Sequence, residues 1–174
     1  METAGEAVGP LRVYGQTMKY LLIDTREKPK AIKTILKQFD ESGIPHESTK
    51  LLFGDYMDWN RPQIVIDRKQ NVAELAKNCT VEHERFKREL EKAQKAGATL
   101  IILVEQNRYK DRGAWRRIEQ LSDLIYWSNP HTIVTGEKVY RVLRSWMAKY
   151  PIRVEFCDKR VTGRRILEII YGEK

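Results

Sequence analysis

The sequence predicts an α/β fold in which helices flank a mixed central sheet. Three short aliphatic runs, at residues 20–23, 64–66 and 100–104, are typical of buried strands. Between them lie segments whose apolar residues recur at the spacing of an amphipathic helix. The predicted order is β-α-β-β-α-β-α-α-β-α, and this alternation of strands and helices indicates one α/β domain.

The first half of the chain carries three of the predicted strands. Residues 20–23 form the first strand, and the helix that follows has Pro29 in its first turn and ends at Gly43. A second strand is predicted to run from residue 46 to Gly54. After a turn at residues 60–62, residues 63–69 return as the partner of that strand in a hairpin.

The second half of the chain is predicted to add helices and two strands. Residues 71–97 are helical and residues 99–104 form a strand, whereas the polar, basic segment 108–117 is expected to be a loop or the start of a mobile helix. A helix over residues 118–125 then ends before Pro130. A regular apolar stripe from Val139 to Tyr150 predicts another helix, whose stripe is either core or the seam of a homodimer. A half-exposed strand at 152–159 and a helix at 161–172 complete the chain.

The composition favours a polyanionic partner. The 174 residues carry a formal net charge of +8 and a pI near 9.5, which attracts nucleic acid first and acidic membrane surfaces second. Two cysteines provide no disulfide framework, the histidines lack zinc-site spacing, and no apolar stretch is long enough to span a membrane. We expect a flexible leader at residues 1–17, a single domain at 18–174, and a cytoplasmic protein that is not secreted.

Three aspartates follow apolar runs in the predicted strands, namely Asp24 in LLIDTRE, Asp55 in FGDY and Asp67 in IDRK. The hairpin places Asp55 opposite Asp67, and strand alternation puts Lys69 on the same face as Asp67. Clustered carboxylates repel each other unless a cation compensates, and Mg²⁺ takes few carboxylates while keeping several waters. The set therefore fits phosphodiester hydrolysis, with Lys69 beside the attacking water. Helix caps and surface ion pairs are the alternative, and these residues alone leave both interpretations open.

The segments I-D-T-R-E, G-D-Y and I-D-R-K, followed by an acid a few residues on, resemble the nuclease domain of the XPF-type structure-specific endonucleases. That domain belongs to the PD-(D/E)xK, restriction-enzyme-like group. The resemblance covers about residues 18–106, in which order, spacing and strand context all match. It implies a restriction-endonuclease-like core at 18–106 and a helical, basic C-terminal extension at 107–174.

The resemblance also implies a Mg²⁺-dependent DNA endonuclease, in which Mn²⁺ substitutes, acting on branched, forked or flapped DNA in repair, recombination or phage DNA processing. No nucleotide cofactor and no membrane are expected. Carried over by position, the metal ligands are Asp24, Asp55 and Asp67, with Lys69 next to the attacking water and further catalytic positions at Arg26, Glu27 and Arg68. Two residues depart from the family pattern. Asp67 stands where the family has Glu. Glu74 is an acid one position later than the last acid of the family pattern, and it either reaches the site or only begins a helix. Tyr56 follows Gly54-Asp55 as in the family, so it is a possible additional site residue. The alternative is that it only packs against the hairpin.

Basic residues with interleaved aromatics are the candidates for DNA contact, and a solvated helix face is the alternative for each. They are Arg85, Lys87, Arg108, Tyr109, Lys110, Arg112, Trp115, Arg116, Arg117, Lys159, Arg160, Arg164 and Arg165. The sequence shows no helix-hairpin-helix pattern, so we expect no such domain. A homodimer is expected because dimerisation is habitual in the resembled family, and a prokaryotic or phage source fits the compact size. The competing functions are an inactive DNA-junction binder of the same fold and a basic interaction module.

Overall fold

The structure is a computed structural model that describes residues 12–13 and 15–172. Its strands are β1 (Arg12–Val13), β2 (Gln16–Thr17), β3 (Leu21–Asp24), β4 (His46–Thr49), β5 (Tyr56–Asp58), β6 (Arg61–Lys69), β7 (Thr99–Val104), β8 (Arg108–Asp111), β9 (Ala114–Arg117) and β10 (Ile152–Phe156). Its α-helices are α1 (Lys33–Glu41), α2 (Val72–Cys79), α3 (His83–Lys95), α4 (Gly136–Lys149) and α5 (Thr162–Tyr171). Two 3-10 helices lie at Leu121–Tyr126 and Lys159–Val161.

A six-stranded mixed sheet in the order β10-β7-β6-β5-β3-β4 forms the centre of the fold. β6 pairs antiparallel with β5 and parallel with β7, so strands of both directions meet at β6. Side chains alternate across the sheet. Val65 and Leu100 therefore pack against α2, α3 and α4, whereas Ile66 and Ile101 pack against α1 and α5. The predicted α/β fold with a mixed sheet between helices is confirmed.

Gly54 allows the chain to pass close over β6 just before Asp55. Its φ is +70°, and a Cβ at this position would lie 2.4 Å from Val65 Cγ1. A larger residue would be both strained and in collision there. Directly after this turn, the Asp55 amide donates to the Ile66 carbonyl at 2.7 Å, which fixes Asp55 beside the end of β6.

The predicted strand from residue 46 to Gly54 is wrong in its extent. β4 ends at Thr49, and the strand that pairs with β6 begins only at Tyr56. The chain leaves the sheet between them because Leu51 and Phe53 turn their side chains into the core and the Leu51 amide donates to the Asp24 carboxylate. The predicted hairpin with β6 exists, but β5 is its other strand.

Residues 108–117 form a β-hairpin of β8 and β9, not the loop or helix start that their polarity predicted. The two loop residues, Arg112 and Gly113, have φ values of +48° and +85°. Two positive φ angles are typical of a type I′ turn, whose twist matches that of the flanking strands. Alternation along the hairpin buries Tyr109 and exposes Trp115.

Residues 107–172 of the predicted extension 107–174 are part of the central fold rather than an extension beyond residue 106, and residues 173–174 lie outside the described residues. β10 adds to the sheet in parallel with β7, and α4 and α5 cover opposite faces of it. The apolar stripe of α4 is core, because Val139, Leu143 and Trp146 are buried. These three residues are therefore not available for a homodimer seam, and the homodimer itself stays a prediction. The helix predicted over 118–125 is a 3-10 helix instead.

Part of the predicted leader is described, and it is not wholly irregular. β1 and β2 form a short antiparallel pair, while residues 1–11 and 14 lie outside the described residues. Within residues 12–13 and 15–172, no helix has the length and apolar character needed to cross a membrane.

Candidate active site

A cleft of about 320 Å³ opens where β6 meets α2 and α3. Asp55, Asp67 and Lys69 line it, and Glu27 contributes a further carboxylate. Asp67 and Lys69 share the face of β6 that carries Val65, which explains why both point toward α3. The structure thus brings together three of the four residues on which the sequence interpretation depended.

Asp55 and Asp67 form a carboxylate pair with unfavourable electrostatics. Asp55 Oδ2 accepts a hydrogen bond from the Arg68 amide at 2.8 Å. Burial, and then the charges of Asp67 and Glu27, nevertheless raise the pKa of Asp55 well above its ordinary value. Two buried carboxylates this close repel each other when both are ionised, so the pair favours a bound proton or a bound cation.

Lys69 supplies the nearest positive charge to this pair. Its Nζ lies 2.7 Å from Asp67 Oδ1 and 4.9 Å from the ring centroid of Phe86. The two side chains form a close ion pair, and apart from Lys69 no donor contacts the buried Asp67 Oδ1 among the described residues. Burial opposes the ammonium form, but Asp67 and Asp55 outweigh it and raise the pKa of Lys69.

Asp24 does not reach the cleft, which corrects its prediction as a metal ligand. Its side chain is 1% exposed, and its oxygens accept from the Leu51 amide at 2.8 Å and from the Arg26 amide and Nε at 3.0 and 2.5 Å. Burial disfavours the carboxylate, but the bonds from Arg26 and Leu51 prevail and lower the pKa of Asp24. Its hydrogen-bonding capacity is taken up by the protein itself.

Arg26 lies at the rim of the cleft, with 63% of its side chain exposed. Besides Asp24 it contacts the Gly54 carbonyl at 3.4 Å. Among the described residues, the carboxylate partner of Arg26 is therefore Asp24, and neither Glu27 nor Asp67 takes this role.

Arg68 is buried between two acids and joins three strands. Its guanidinium donates to both oxygens of Glu27 at 2.8 and 2.6 Å and to Glu105 Oε1. Glu105 Oε2 in turn accepts from Thr162 Oγ1 at 2.6 Å, at the start of α5. Glu105 directly follows β7, and its position in the sequence alone indicates no role. Only the proximity of β6 and β7 shows that Glu105 supports Arg68.

Glu74 and Tyr56, the two additional candidates, have separate positions. Glu74 lines the cleft and also stabilises the start of α2, where its Oε2 accepts from the Gln70 amide at 2.6 Å. Glu74 therefore lies beside the site as well as at the start of α2, and its part in catalysis stays a prediction. Tyr56 is fully buried and packs edge-on against Phe39, so its role is packing.

The candidate DNA-contact residues fall into four groups. Arg85 lines the cleft with 67% of its side chain exposed and pairs with Glu82 at 2.8 Å, whereas Lys87 is half-buried on α3. Tyr109 is 5% exposed, so the prediction of a DNA contact there is wrong. Several arginines are already paired with acids: Arg116 with Asp111, Arg117 with Glu119, Arg160 with Asp158, and Arg165 with Glu155 and Glu168. The exposed remainder is Arg108, Lys110, Arg112, Trp115, Lys159 and Arg164.

The predicted three-aspartate metal site is not formed. Across residues 15–172, no three His, Cys, Asp or Glu side chains are arranged to hold a metal ion. Two carboxylates and water are nevertheless a common Mg²⁺ environment. Asp55 and Asp67 fit it, because Asp55 has a raised pKa and Asp67 Oδ1 has no polar partner within the described chain apart from the Lys69 ammonium.

The mixed sheet with its acidic cleft defines a nuclease fold of the XPF type. The chain is similar to the solved structure "XPF from Aeropyrum pernix", with a TM-score of 0.60 and 17% identity, covering 86% of this chain and 62% of that one. It is also similar to "XPF from Aeropyrum pernix, complex with DNA", with a TM-score of 0.58 and 18% identity, covering 87% and 62%. The predicted α/β fold of the XPF nuclease type is confirmed.

The ERCC4 domain model matches residues 23–167, so the chain belongs to the ERCC4 domain family of XPF-type nucleases. The match extends well past residue 106, in agreement with the place of β10 and α5 in the central fold. The chain spans less than two thirds of the length of the solved structures it resembles. No curated protein sequence matches it.

Proposed function

We propose that this protein is a metal-dependent DNA endonuclease that hydrolyses phosphodiester bonds in the cleft at the end of β6. The observation that carries the proposal is the convergence of Asp55, Asp67 and Lys69 on that cleft. Family membership supports nuclease chemistry, and the net charge of +8 supports a polyanionic substrate.

Asp55 and Asp67 would hold the metal, for which Mg²⁺ is the proposed ion and Mn²⁺ a substitute. When bound, such an ion supplies an activated water and charge stabilisation at the leaving oxygen. The protein's own contribution is to hold two carboxylates close together despite their repulsion. The hydrogen bond from the Arg68 amide to Asp55 and the register of β6 against β5 maintain that geometry.

Lys69 and the arginines have distinct roles around the scissile phosphate. Lys69 presents an ammonium beside the carboxylate pair and stabilises negative charge that develops on phosphorus-bound oxygens. Arg26 and Arg85 lie on the cleft with most of their side chains exposed, so they bind phosphate. Arg68 is a positioning residue, because Glu27 and Glu105 already occupy its guanidinium.

The proposed substrate is branched, forked or flapped DNA, within repair, recombination or phage DNA processing. One of the similar solved structures is a complex with DNA. A homodimer is retained as part of the proposal, with its interface away from the buried face of α4.

An inactive DNA-junction binder is the second candidate, and the position of Asp24 outside the cleft favours it. Labelled flap, fork and blunt duplex DNA incubated with Mg²⁺, Mn²⁺ or EDTA distinguishes the two. The endonuclease cuts at least one substrate with metal and none in EDTA, and Asp67→Ala abolishes cutting. Binding of all substrates without metal-dependent cutting would establish the inactive binder instead.

A further inference from the structure

A second cavity of about 740 Å³ adjoins the cleft, and Gln70 lines both. Gln70 directly follows β6, so the two cavities meet at the end of the strand that carries Asp67 and Lys69. The β8–β9 hairpin forms one side of the second cavity. Residues 128–131 and 158–160 form the other side. We refer to this cavity as the hairpin groove.

Trp115 stands in the hairpin groove with 60% of its surface exposed. The Arg108 guanidinium carbon lies 4.6 Å and Lys110 Nζ 5.7 Å from its ring centroid. Tyr109, on the opposite face of β8, is buried in the core and anchors the hairpin. The hairpin is therefore held in the core by Tyr109 and exposes the Trp115 indole with two cations beside it.

The positive charge in the hairpin groove is only partly balanced. Arg108, Lys110 and Lys159 have no carboxylate at ion-pair distance within residues 15–172, whereas Arg160 is paired with Asp158 at 2.6 Å. Three cations without carboxylate partners, in one groove with an exposed aromatic ring, suit an anion that also carries flat π-faces. A single-stranded nucleic acid has both properties, since its phosphates pair with cations and its unpaired bases stack on aromatic side chains.

We propose that the hairpin groove binds the single-stranded arm of a DNA substrate, with one base stacked on Trp115 and the backbone along Arg108, Lys110 and Lys159. This assignment rests on the proposed function, because the arm enters the groove where Gln70 borders the cleft. Duplex DNA cannot use the same site in the same way, since neighbouring base pairs cover the faces of its internal bases. The groove therefore selects substrates with an unpaired arm.

Binding of a fluorescein-labelled 12-nucleotide oligothymidylate, measured by anisotropy in EDTA, tests the groove without cleavage. Trp115→Ala is expected to raise Kd about 5- to 100-fold, the usual effect of removing a base-stacking aromatic. Trp115→Phe keeps a ring and should stay near the parent. Trp59→Ala removes another exposed tryptophan, 49% exposed and outside the groove, and should not change Kd. Equal Kd values for Trp115→Ala and the parent would overturn the proposal.

The salt dependence of the same binding tests the cations. Lys110→Gln is expected to lower the slope of log Kd against log salt by about 0.7, the value for one phosphate contact on a single strand. Binding of a capped blunt duplex should not respond to Trp115→Ala. A duplex that loses as much affinity as the oligothymidylate would overturn the selectivity for single strands.

Cleavage of flap DNA in Mg²⁺ distinguishes failure of the groove from failure of the proposed function. If the parent cuts flap DNA but binds oligothymidylate independently of Trp115, the groove assignment alone fails. If nothing is cut while binding still depends on Trp115, the endonuclease proposal fails and the groove remains a single-strand site. Asp67→Ala, which leaves the groove intact, is expected to bind oligothymidylate at least as tightly as the parent.

Discussion

Arg68 and Glu105 are joined at the ends of two neighbouring parallel strands, with about 8% and 9% of their side chains exposed. Glu27, after β3, completes this buried cluster from a third strand. Arg68 points away from Asp67 and Lys69, since side chains alternate along β6, and together with Glu27 it borders the cleft at the end of the strand. The cluster holds the end of β6 in place, and the position of the carboxylate pair therefore depends on it.

Glu105→Ala is expected to destabilise the protein by about 3 kcal/mol, because removal of one acid leaves a buried guanidinium incompletely paired. It also removes the acceptor of Thr162 Oγ1. Urea unfolding followed by circular dichroism measures the loss. Glu105→Gln keeps a hydrogen-bond acceptor and should lose about half as much.

Glu119→Ala serves as the control for this loss, because Glu119 forms an exposed ion pair with Arg117 in which the side chains are 68% and 84% exposed. Exposed pairs contribute little to stability. An unfolding midpoint of Glu105→Ala equal to that of Glu119→Ala would show that the buried cluster does not stabilise the fold.

Asp24→Asn is expected to cost about 2 kcal/mol of stability and to leave metal binding unchanged. Asp24 accepts three hydrogen bonds from Arg26 and Leu51, and hydrogen bonds to a buried charge are stronger than neutral ones. Urea unfolding gives the first quantity, and the rise in melting temperature on adding Mg²⁺ gives the second. If Asp24→Asn no longer showed a rise in melting temperature with Mg²⁺, Asp24 would have to be a metal ligand.

The pH dependence of the Asp24 effect has a definite sign. The pKa of Asp24 is lowered in the folded protein, so its contribution is present above the ordinary value of 3.8 and disappears as the pH falls through the folded-state pKa. The stability difference between parent and Asp24→Asn should therefore be full at pH 7 and shrink below pH 4. A difference that stays constant to pH 2 contradicts this account.

The sequence was sufficient to place Asp55, Asp67 and Lys69, because hairpin pairing and strand alternation are local properties. It could not show that Arg26 and the Leu51 amide occupy the oxygens of Asp24, since the position of Leu51 depends on how the chain leaves the sheet after β4. The role of Glu105 depends on contact between distant strands. The β8–β9 hairpin was missed because Arg112 adopts a left-handed conformation that its residue type rarely takes.

Asp55→Asn is expected to raise the melting temperature measured in EDTA at pH 8. The pKa of Asp55 is raised by burial and by Asp67 and Glu27, so the stability that its neutral form supplies is present at low pH and lost as the pH rises through the folded-state pKa. Asn cannot ionise, so Asp55→Asn does not lose this stability at high pH. The difference in melting temperature between the variant and the parent should therefore disappear near pH 4. Differential scanning fluorimetry across this pH range measures the effect.

When Mg²⁺ is bound, the parent should be more stable than Asp55→Asn. Mg²⁺ at 100 times its Kd stabilises the parent by about 2.7 kcal/mol, whereas Asp55→Asn lacks one ligand and gains far less. Asp111→Asn, which alters an acid on the β8–β9 hairpin, should respond to Mg²⁺ like the parent. Equal responses from Asp55→Asn and the parent would place the metal elsewhere.

Asp67→Asn and Lys69→Gln are expected to lower the single-turnover rate of flap cleavage for different reasons. Asp67→Asn removes a metal ligand and should lower the rate about 10³-fold, together with the Mg²⁺-induced rise in melting temperature. Lys69→Gln removes charge stabilisation at the phosphate and should lower the rate about 10²-fold while that rise persists. Lys69 Nζ lies 2.7 Å from Asp67 Oδ1, so Lys69 could act only through its ion pair with Asp67. In that case the double variant Asp67→Asn/Lys69→Gln would cleave no more slowly than the single variant Asp67→Asn. A further loss in the double variant shows that Lys69 acts on the substrate as well as on Asp67.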